Sequence, residues 1–567
     1  MRHTLLSMIA AALMLLSPCG EVRARQAQPA RAEAIYVNAN IYTVDAARPR
    51  AEAIAVSGGR ILAVGSNAEV RAQIGPTTKT FDLGGRTLLP GLIDCHGHVA
   101  NLGAFGLGRI DLSRVPDYQA AVAAVAQRAA ETPKGQWILG GRWDHESWPG
   151  KELPTHQALS AATPDHPVWL RRVDGHAALA NAKAMELAGI TRETPDPPGG
   201  EIIRDGRGHA TGVFVDNAMG LVQRVASGQD FTPEALILKA QEMCLAAGLV
   251  GVHDAGIAPA EVETYRALER DGRLKMRVYA MIRGFQAIRY FEEHPLYSGP
   301  RLTVKAAKVV IDGAMGSRGA WLLAPYADRP TNDHGDPYTG LAVTEPSVLE
   351  EIAEHALTRG YQVCTHAIGD RANREALDAY ERAMKKLPRP DPRFRVEHAQ
   401  LLALEDIPRF AAMGVIPSMQ QTHCTSDMRW VDARVGPERA RGAYAWASLL
   451  RTGARIAGGS DFPVESHNPF LGLHAAATRQ NAQGQPLGGW HAEERMTREE
   501  ALRSFTLDAA YASFEEGSRG SLTPGKQADF IVIDRDIMTC GPHQVLETRV
   551  LRTVIAGETV FESPSPN

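Results

Sequence analysis

The sequence predicts an α/β protein built around a (β/α)8 barrel of the TIM type, on three observations. Apolar segments alternate with helical patterns through the middle of the chain, which predicts parallel strands covered by helices on both faces. Eight of these segments are strand-like, and eight strand-helix units fit a closed barrel. Strand-like β-branched segments also occur near both chain ends. We therefore expect a barrel, an insertion after its first strand, and a small β-sandwich domain formed from both chain ends.

The domain boundaries follow from the same patterns. Two alternating strands with Gly58-Gly59 between them predict a hairpin at the start of the β-sandwich. We expect the following order: signal peptide 1–24, linker 25–33, N-terminal β-sandwich segment 34–90, barrel 91–515 with an insertion at about 101–248, and C-terminal β-sandwich segment 516–567.

The first two dozen residues differ in composition from the rest of the chain. Arg2 and His3 precede an apolar run that is too short to span a bilayer, and small residues surround a cleavage point after Ala24. This is typical of a secretory signal, so we expect an exported, periplasmic or secreted protein with no membrane span. The segment ending at Cys19 resembles a lipoprotein box, although Pro18 stands where a small residue is needed. A lipid anchor at Cys19 and a retained hydrophobic N-terminus are the alternatives.

Composition excludes several function classes. The 567 residues carry a formal charge of only −4, so no basic surface for nucleic acid or membrane is indicated. A small molecule is the expected partner, and assembly into a homo-oligomer is left open. The five cysteines after Cys19 are scattered without CxxC spacing, which predicts neither a disulfide framework nor a cysteine zinc site.

The first barrel strand is the apolar run Leu88 to His98, which we interpret as one buried strand ending on His96 and His98. Residues two apart on an extended chain project to the same side, so both imidazoles can reach one point. Taken alone, the pair is equally consistent with ordinary polar side chains at a strand end. Support for a metal site therefore has to come from the residues at the ends of the other strands.

Three further strands end on side chains that suit a divalent metal. The fifth ends at His366, the sixth at Glu397-His398 and the eighth at Asp461. Imidazole nitrogen and carboxylate oxygen bind zinc and its neighbours, and the carboxyl ends of barrel strands meet at one mouth. The candidate strands after the first are Leu249 to Asp254, Met276 to Ile282, Val304 to Asp312, Tyr361 to His366, Phe394 to His398, Val415 to Gln420 and Ile456 to Asp461.

Lys308 is the least obvious contributor, because it lies inside the apolar strand Ala306 to Ile311. A buried, unpaired ammonium is costly, and divalent cations beside it would raise that cost. Our interpretation is that Lys308 is carboxylated by carbon dioxide and bridges two metal ions. The alternative is an ion pair with Asp312 or another barrel carboxylate. Lys305, on the opposite face of the strand, is the weaker candidate.

These motifs together resemble the amidohydrolase superfamily of metal-dependent hydrolases, and in particular the amidohydrolase 3 type branch that includes N-substituted formamide deformylases. Pro524 to Asp529 resembles the family's return from the barrel to the β-sandwich, and the resemblance runs from Ala34 to about Phe561. Gly319 departs from the branch pattern, which usually has Thr there, so the resemblance does not extend to the substrate contacts near Arg318. The matching segments are Gly91 to His98, Lys308 with Asp312 to Arg318, Thr365 to Asp370, Glu397 to Gln400 and Gly459 to Val464.

The resemblance implies two divalent ions, which we expect to be zinc. Two ions about 3.5–4 Å apart would activate a water molecule as hydroxide, and one ion would also polarise the substrate carbonyl. Asp461 would pass the proton of that water to the leaving nitrogen. The implied ligands are His96 and His98 for the more buried ion, His366 and His398 for the second ion, carboxylated Lys308 between them, and Asp461.

The insertion is expected to cover the barrel mouth and select the substrate. Trp143 and His176 lie in segments that resemble branch motifs, where Trp143 would line an apolar pocket and His176 would hydrogen-bond the substrate carbonyl. Arg318 is a third candidate for substrate binding. The alternatives are that Trp143 belongs to the core and that His176 is satisfied by Asp174.

The function that we expect is metal-dependent hydrolysis of a carbon–nitrogen bond, either a non-peptide bond or an N-acyl or N-formyl bond, by metal-activated hydroxide. A one-metal deaminase or an ester or lactone hydrolase would keep the same fold. A metal- or ligand-binding protein without catalysis is a third interpretation. Counting the ions per chain separates the binuclear amidase from the deaminase, whereas the sequence names neither the substrate nor the native metal.

Overall fold

The computed structural model describes residues 31–564 except 227, 229–230 and 333–334. The predicted signal peptide, Cys19 and most of the predicted linker lie outside the described residues. Among the described residues, no helix is long and apolar enough to cross a membrane.

A parallel barrel forms the centre of the molecule, and in the described portion of the chain its eight strands follow one another in sequence order. The first and last strands meet at the rim, where the Asp461 amide donates to the His96 carbonyl (2.7 Å) and the His98 amide to the Phe462 carbonyl (2.8 Å). The predicted TIM-type barrel is therefore confirmed. Its strands are Leu92–Gly97, Leu249–Ile257, Arg277–Arg283, Leu302–Val310, Gln362–Ala367, Arg395–His398, Ile416–Gln420 and Ala457–Gly459.

Helices cover the outside of the barrel. Several begin with proline at the first turn, as at Pro233, Pro259 and Pro346, where the missing N–H has no intrahelical partner to lose. The helices between and after the strands are Pro233–Ala246, Pro259–Arg270, Gln286–Glu293, Pro346–Arg359, Asp370–Lys386, Ile407–Met413, Gln421–Asp427, Val431–Val435, Pro437–Ala440, Trp446–Arg451, Pro469–Thr478, Arg498–Ser504 and Leu507–Ala512.

The apolar run from Leu88 to His98 is two strands and not one, which corrects the sequence interpretation. Thr87–Pro90 pairs with Phe530–Ile533 in a terminal sheet, whereas Leu92–Gly97 pairs with Leu249–Ile257 in the barrel. Gly91 permits the change of sheet, because a Cβ there would lie 2.4 Å from Val250 Cγ1. The histidine pair therefore ends a short barrel strand that starts directly at the junction.

Two terminal sheets lie beside the barrel, and one of them combines strands from before and after it. Side chains of both sheets, such as Tyr36 and Phe530, share one apolar cluster. The predicted hairpin is present, with Gly58 and Gly59 at positive φ between two of its strands. The first sheet is Arg60–Gly65, Ala53–Ser57, Ala32–Val37 and Ile74–Asp82; the second is Glu558–Glu562, Val550–Ile555, Phe530–Ile533, Thr87–Pro90, Asn40–Tyr42 and Arg50–Ala51.

The segment between the first two barrel strands carries a sheet with its own apolar clusters. The helix Val99–Gly106 leaves the barrel, and the short helices His156–Ala162 and Ala182–Ala188 join strands of this sheet, as does the longer Tyr118–Glu131. The sheet order is Gly200–Arg204, Ala210–Asp216, Ala177–Ala180, Val168–Arg172, Ile138–Trp143 and Ile110–Asp111.

Candidate metal centre and active site

The structure brings the six predicted ligand side chains together at the barrel mouth. The His398 ring centroid lies 4.8 Å from that of His96 and 4.4 Å from that of His366. Lys308 Nζ lies 3.0 Å from His96 Nε2. Because strands one, four, five, six and eight each supply a member, only the closed barrel creates this cluster.

His96, His98 and Asp461 form the first group that could hold a metal, with their ligand atoms within 4.8 Å of one another. Asp461 Oδ1 lies 3.1 Å from His98 Nε2 and 3.6 Å from His96 Nε2. Burial raises the pKa of Asp461, but His96 and His98 lower it more, so its pKa lies below the ordinary value. The carboxylate is thus held in the ionised form that binds a cation.

His398, His423 and Asp461 form a second such group. His423 Nε2 lies 3.7 Å from Asp461 Oδ2, the oxygen that the first group leaves free. Sequence reasoning missed His423, because it lies in the helix Gln421–Asp427 and does not end a strand. The available signal is its position three residues after the seventh strand, in the helix that directly follows that strand.

His366 lies slightly apart from both groups. Its buried Nε2 is 3.5 Å from Asp312 Oδ1. The Asp312 oxygens accept hydrogen bonds from the backbone amides of Ile368, Gly369 and Trp321. Through these hydrogen bonds, Asp312 holds the loops around His366 in place. Burial raises the pKa of Asp312 to about 7.

Lys308 is 5 % exposed, and burial lowers its pKa while Glu397 and Asp461 oppose that shift. No salt bridge within 4 Å joins its amine to a carboxylate among the described residues, so the expected alternative of a pair with Asp312 is not seen. Its amine contacts the ring nitrogen of His96 instead.

Two polar side chains orient His96 and His398 through contacts to the Nδ1 atom of each ring. Glu397 Oε2 lies 2.5 Å from His96 Nδ1, and Gln420 Oε1 lies 2.7 Å from His398 Nδ1. Each contact leaves Nε2 as the metal-binding atom of its ring. Burial lowers the pKa of His96 and of His398 well below the ordinary value, which favours the neutral imidazole that a metal requires.

The chemistry of these side chains fits a divalent metal. His366 Nε2, His423 Nε2 and Asp461 Oδ1 are buried and make no hydrogen bond of standard geometry, although Asp461 Oδ1 lies 3.1 Å from His98 Nε2. Buried polar atoms without a partner are rare in proteins. Three such atoms in one place, all of them nitrogen or oxygen ligands, are what a zinc-type site needs.

The three candidate substrate residues lie in different surroundings. His176 lies against the cluster, with its ring centroid 4.8 Å from that of His366. Trp143 is only 1 % exposed in the core of the insertion, and its indole N–H donates to the Leu170 carbonyl (2.8 Å), which corrects its placement at a pocket wall. Arg318 pairs with Asp328 at 2.9 Å.

Salt bridges fasten the insertion to the barrel loops. Arg434, which follows the seventh strand, pairs with Glu146 of the insertion and with Asp328. Arg429 pairs with Asp144 of the insertion. Because these partners come from separate regions of the chain, the insertion is held next to the loops that carry the site.

The mouth of this TIM-type barrel carries histidines and an aspartate suited to a divalent metal. This combination is typical of metal-dependent hydrolases. The chain belongs to the amidohydrolase family, whose family model matches residues 79–561. The expectation of an amidohydrolase, a hydrolase acting on carbon–nitrogen bonds, is thereby confirmed at the level of the family.

Individual relatives cover nearly the whole chain. The putative amidohydrolase YtcJ of Bacillus subtilis (strain 168) is 32 % identical over 94 % of this chain and 99 % of its own. The N-substituted formamide deformylase of Arthrobacter pascens is 29 % identical over 93 % of this chain and 98 % of its own. The crystal structure of an uncharacterized metal-dependent hydrolase from Pyrococcus horikoshii OT3 superposes with a TM-score of 0.71 at 28 % identity, covering 90 % of this chain and 99 % of that one.

Proposed function

We propose that the protein hydrolyses a non-peptide N-acyl or N-formyl carbon–nitrogen bond of a small molecule, using divalent metal. The observation that carries this proposal is the cluster of buried, unpartnered imidazole and carboxylate atoms at the barrel mouth. The likeness to a formamide deformylase supports the N-formyl class of substrate.

His96, His98 and Asp461 would hold the first ion, since their ligand atoms already converge. His366 and His398 would hold the second ion, and carboxylated Lys308 would lie between the two. His423 is a further imidazole within reach of the second ion through the group that it forms with His398 and Asp461. Zinc is one of the divalent ions that this set of nitrogen and oxygen ligands suits, and it is the ion that we propose.

Bound metal would supply the Lewis acid that polarises the carbonyl and lowers the pKa of the attacking water. The chain's own residues would then move the proton and orient the substrate. Asp461 Oδ1, ionised and 3.1 Å from His98 Nε2, would take the water proton and deliver it to the leaving nitrogen. His176, beside His366, would donate a hydrogen bond to the substrate carbonyl.

A hydrolysis screen of N-formyl and N-acyl amines on zinc-loaded protein, with elemental analysis alongside, tests this proposal. Two ions per chain and release of formate or another carboxylate are the expected results. Ammonia release from an amino-substituted ring with one ion per chain would instead support the deaminase. Turnover confined to esters or lactones, or no turnover at all, would contradict the amidase.

Lys308→Ala should lower kcat by more than the roughly 10–100-fold that loss of an outer-shell partner costs. The reason is that the variant removes the proposed bridge itself. Added formate or acetate should restore some of the activity by occupying its place. Lys305→Ala is the matched control, because Lys305 lies on the same strand and is half-buried on its other face. Equal activity of the Lys308→Ala variant and the wild type would contradict the bridge.

Removal of metal with a chelator should abolish turnover and lower the melting temperature. The ligand histidines and the ionised Asp461 would lose the cation that they bind, and ligands that bind only the native state stabilise it. Differential scanning calorimetry before and after readdition of zinc measures the effect. A melting temperature that is insensitive to metal would argue against a bound ion.

We also propose that the two terminal sheets form the predicted β-sandwich and that the chain is exported after loss of residues 1–24. The shared apolar cluster of the two sheets supports the first of these statements. The charged and apolar pattern of the leading residues supports the second.

A further inference from the structure

We propose that Asp216 is a positioning residue that holds His176 against the metal centre, and that Gly319 provides the space for its carboxylate. This inference rests on the proposed function, because His176 is the residue that would meet the substrate. It assigns a task to the insertion, whose strand Ala210–Asp216 ends at Asp216.

Main-chain and side-chain contacts both join Asp216 to His176. The Asp216 amide donates to the His176 carbonyl at 2.9 Å. Asp216 Oδ1 lies 2.6 Å from His176 Nδ1. With Nδ1 engaged by the carboxylate, Nε2 is the ring atom left to meet a ligand, and the ring cannot rotate without breaking this hydrogen bond. The same ring packs 4.8 Å from His366, so its orientation is set relative to a proposed metal ligand.

Asp216 carries two energetically unfavourable features. Its φ is +48°, a region that residues other than glycine rarely adopt. Its second oxygen, Oδ2, is buried without a hydrogen-bond partner. Backbone strain and unsatisfied polar groups concentrate at functional sites, where the surrounding structure enforces them. Both features occur here on the residue that holds His176.

Two glycines make room for this carboxylate. A Cβ on Gly319 would lie 2.3 Å from Asp216 Oδ2, and a Cβ on Gly313 would lie 2.1 Å from it. Neither distance is compatible with any side chain at those positions unless Asp216 moves. The absence of a side chain at position 319 and the position of the Asp216 carboxylate therefore depend on each other.

Gly319→Ala and Asp216→Ala, made separately and together in zinc-loaded protein, test the inference on the N-formyl or N-acyl substrate that the wild type hydrolyses. Each single variant should lower kcat roughly 10–100-fold, the loss typical when a group that orients a functional histidine is removed. Metal content should not change. The double variant should be no worse than Asp216→Ala, because alanine at 216 leaves no carboxylate for the new methyl group to displace. Asp216→Asn keeps an acceptor oxygen and should recover some of the activity.

Gly220→Ala is the matched control, because its Cβ would meet no atom within 4 Å and its φ is ordinary. It should behave like the wild type. Additive losses in the double variant would overturn the inference, as would full activity of Asp216→Ala.

A crystal structure of the Gly319→Ala variant gives a readout that does not depend on turnover. The His176 ring should have moved away from His366. A ring in its original place would overturn the inference. If the wild type hydrolyses none of the compounds, the proposed function fails, while the position of His176 still decides the role of Asp216.

Discussion

Replacing Asp461 with Asn should lower kcat roughly 10²–10⁴-fold, the range that a positioned proton-transfer group contributes. An amide keeps one oxygen that can face a cation, but it cannot accept the proton of the attacking water. Asp461 lies between His98 Nε2 at 3.1 Å and His423 Nε2 at 3.7 Å, so it is placed both to bind a metal cation and to transfer a proton. Steady-state kinetics with elemental analysis of the same sample measures the two roles separately.

Asp432→Asn is the control for this substitution. Asp432 is half-exposed in the helix Val431–Val435, outside the cluster, and its variant should retain full activity. If Asp461→Asn loses metal and kcat in equal proportion, Asp461 is a ligand without a role in proton transfer. An unchanged kcat would exclude both roles.

Arg395→Met should lower the free energy of unfolding by about 3–5 kcal/mol, the cost of leaving one member of a buried ion pair without its partner. Arg395 and Glu397 are fully buried inside the barrel, with Arg395 Nε 2.7 Å from Glu397 Oε1. Burial lowers the pKa of Arg395, but Glu397 together with Cys364 and Cys95 outweighs burial and raises the pKa above its ordinary value, so the guanidinium stays charged. Its other N–H groups reach the Cys95 carbonyl, Ser418 Oγ and His253 Nδ1, at 2.7 to 2.8 Å.

Denaturant unfolding of the metal-free protein measures this effect without interference from ion binding. Arg289→Met is the control, since Arg289 pairs with Glu293 on an exposed helix face and should change stability little. A reduced kcat should accompany the Arg395 substitution, because the freed Glu397 no longer holds His96 in a fixed orientation. Equal stability of the two variants would show that the barrel interior tolerates the lone carboxylate.

The barrel could be predicted because each strand carries its own apolar pattern, and that information is local. Leu302–Val310 and Gln362–Ala367, for example, appear within a few residues of their predicted bounds. The break at Gly91 could not be predicted, because the two halves of the apolar run pair with strands that are far apart in the sequence. Register between such distant strands is a property of the folded chain.

The candidate site could likewise be predicted from the sequence only in part. His96, His98, His366 and His398 follow from strand ends, because a barrel sends those ends to one mouth. His423 and Asp216 do not, since one lies on a helix and the other closes a strand of the insertion. The core position of Trp143 could not be predicted either, because a motif at a strand end does not reveal whether the indole faces a cavity or its own sheet.

The terminal sheet has a consequence for biosynthesis. Thr87–Pro90 pairs antiparallel with Phe530–Ile533, so this early strand lacks that partner until the ribosome has translated the entire barrel. Asp529 fixes the returning chain, because its carboxylate binds buried Arg277 at 2.7 Å. We therefore expect nascent chains interrupted before residue 529 to expose an apolar strand edge and to be recognised by chaperones and proteases.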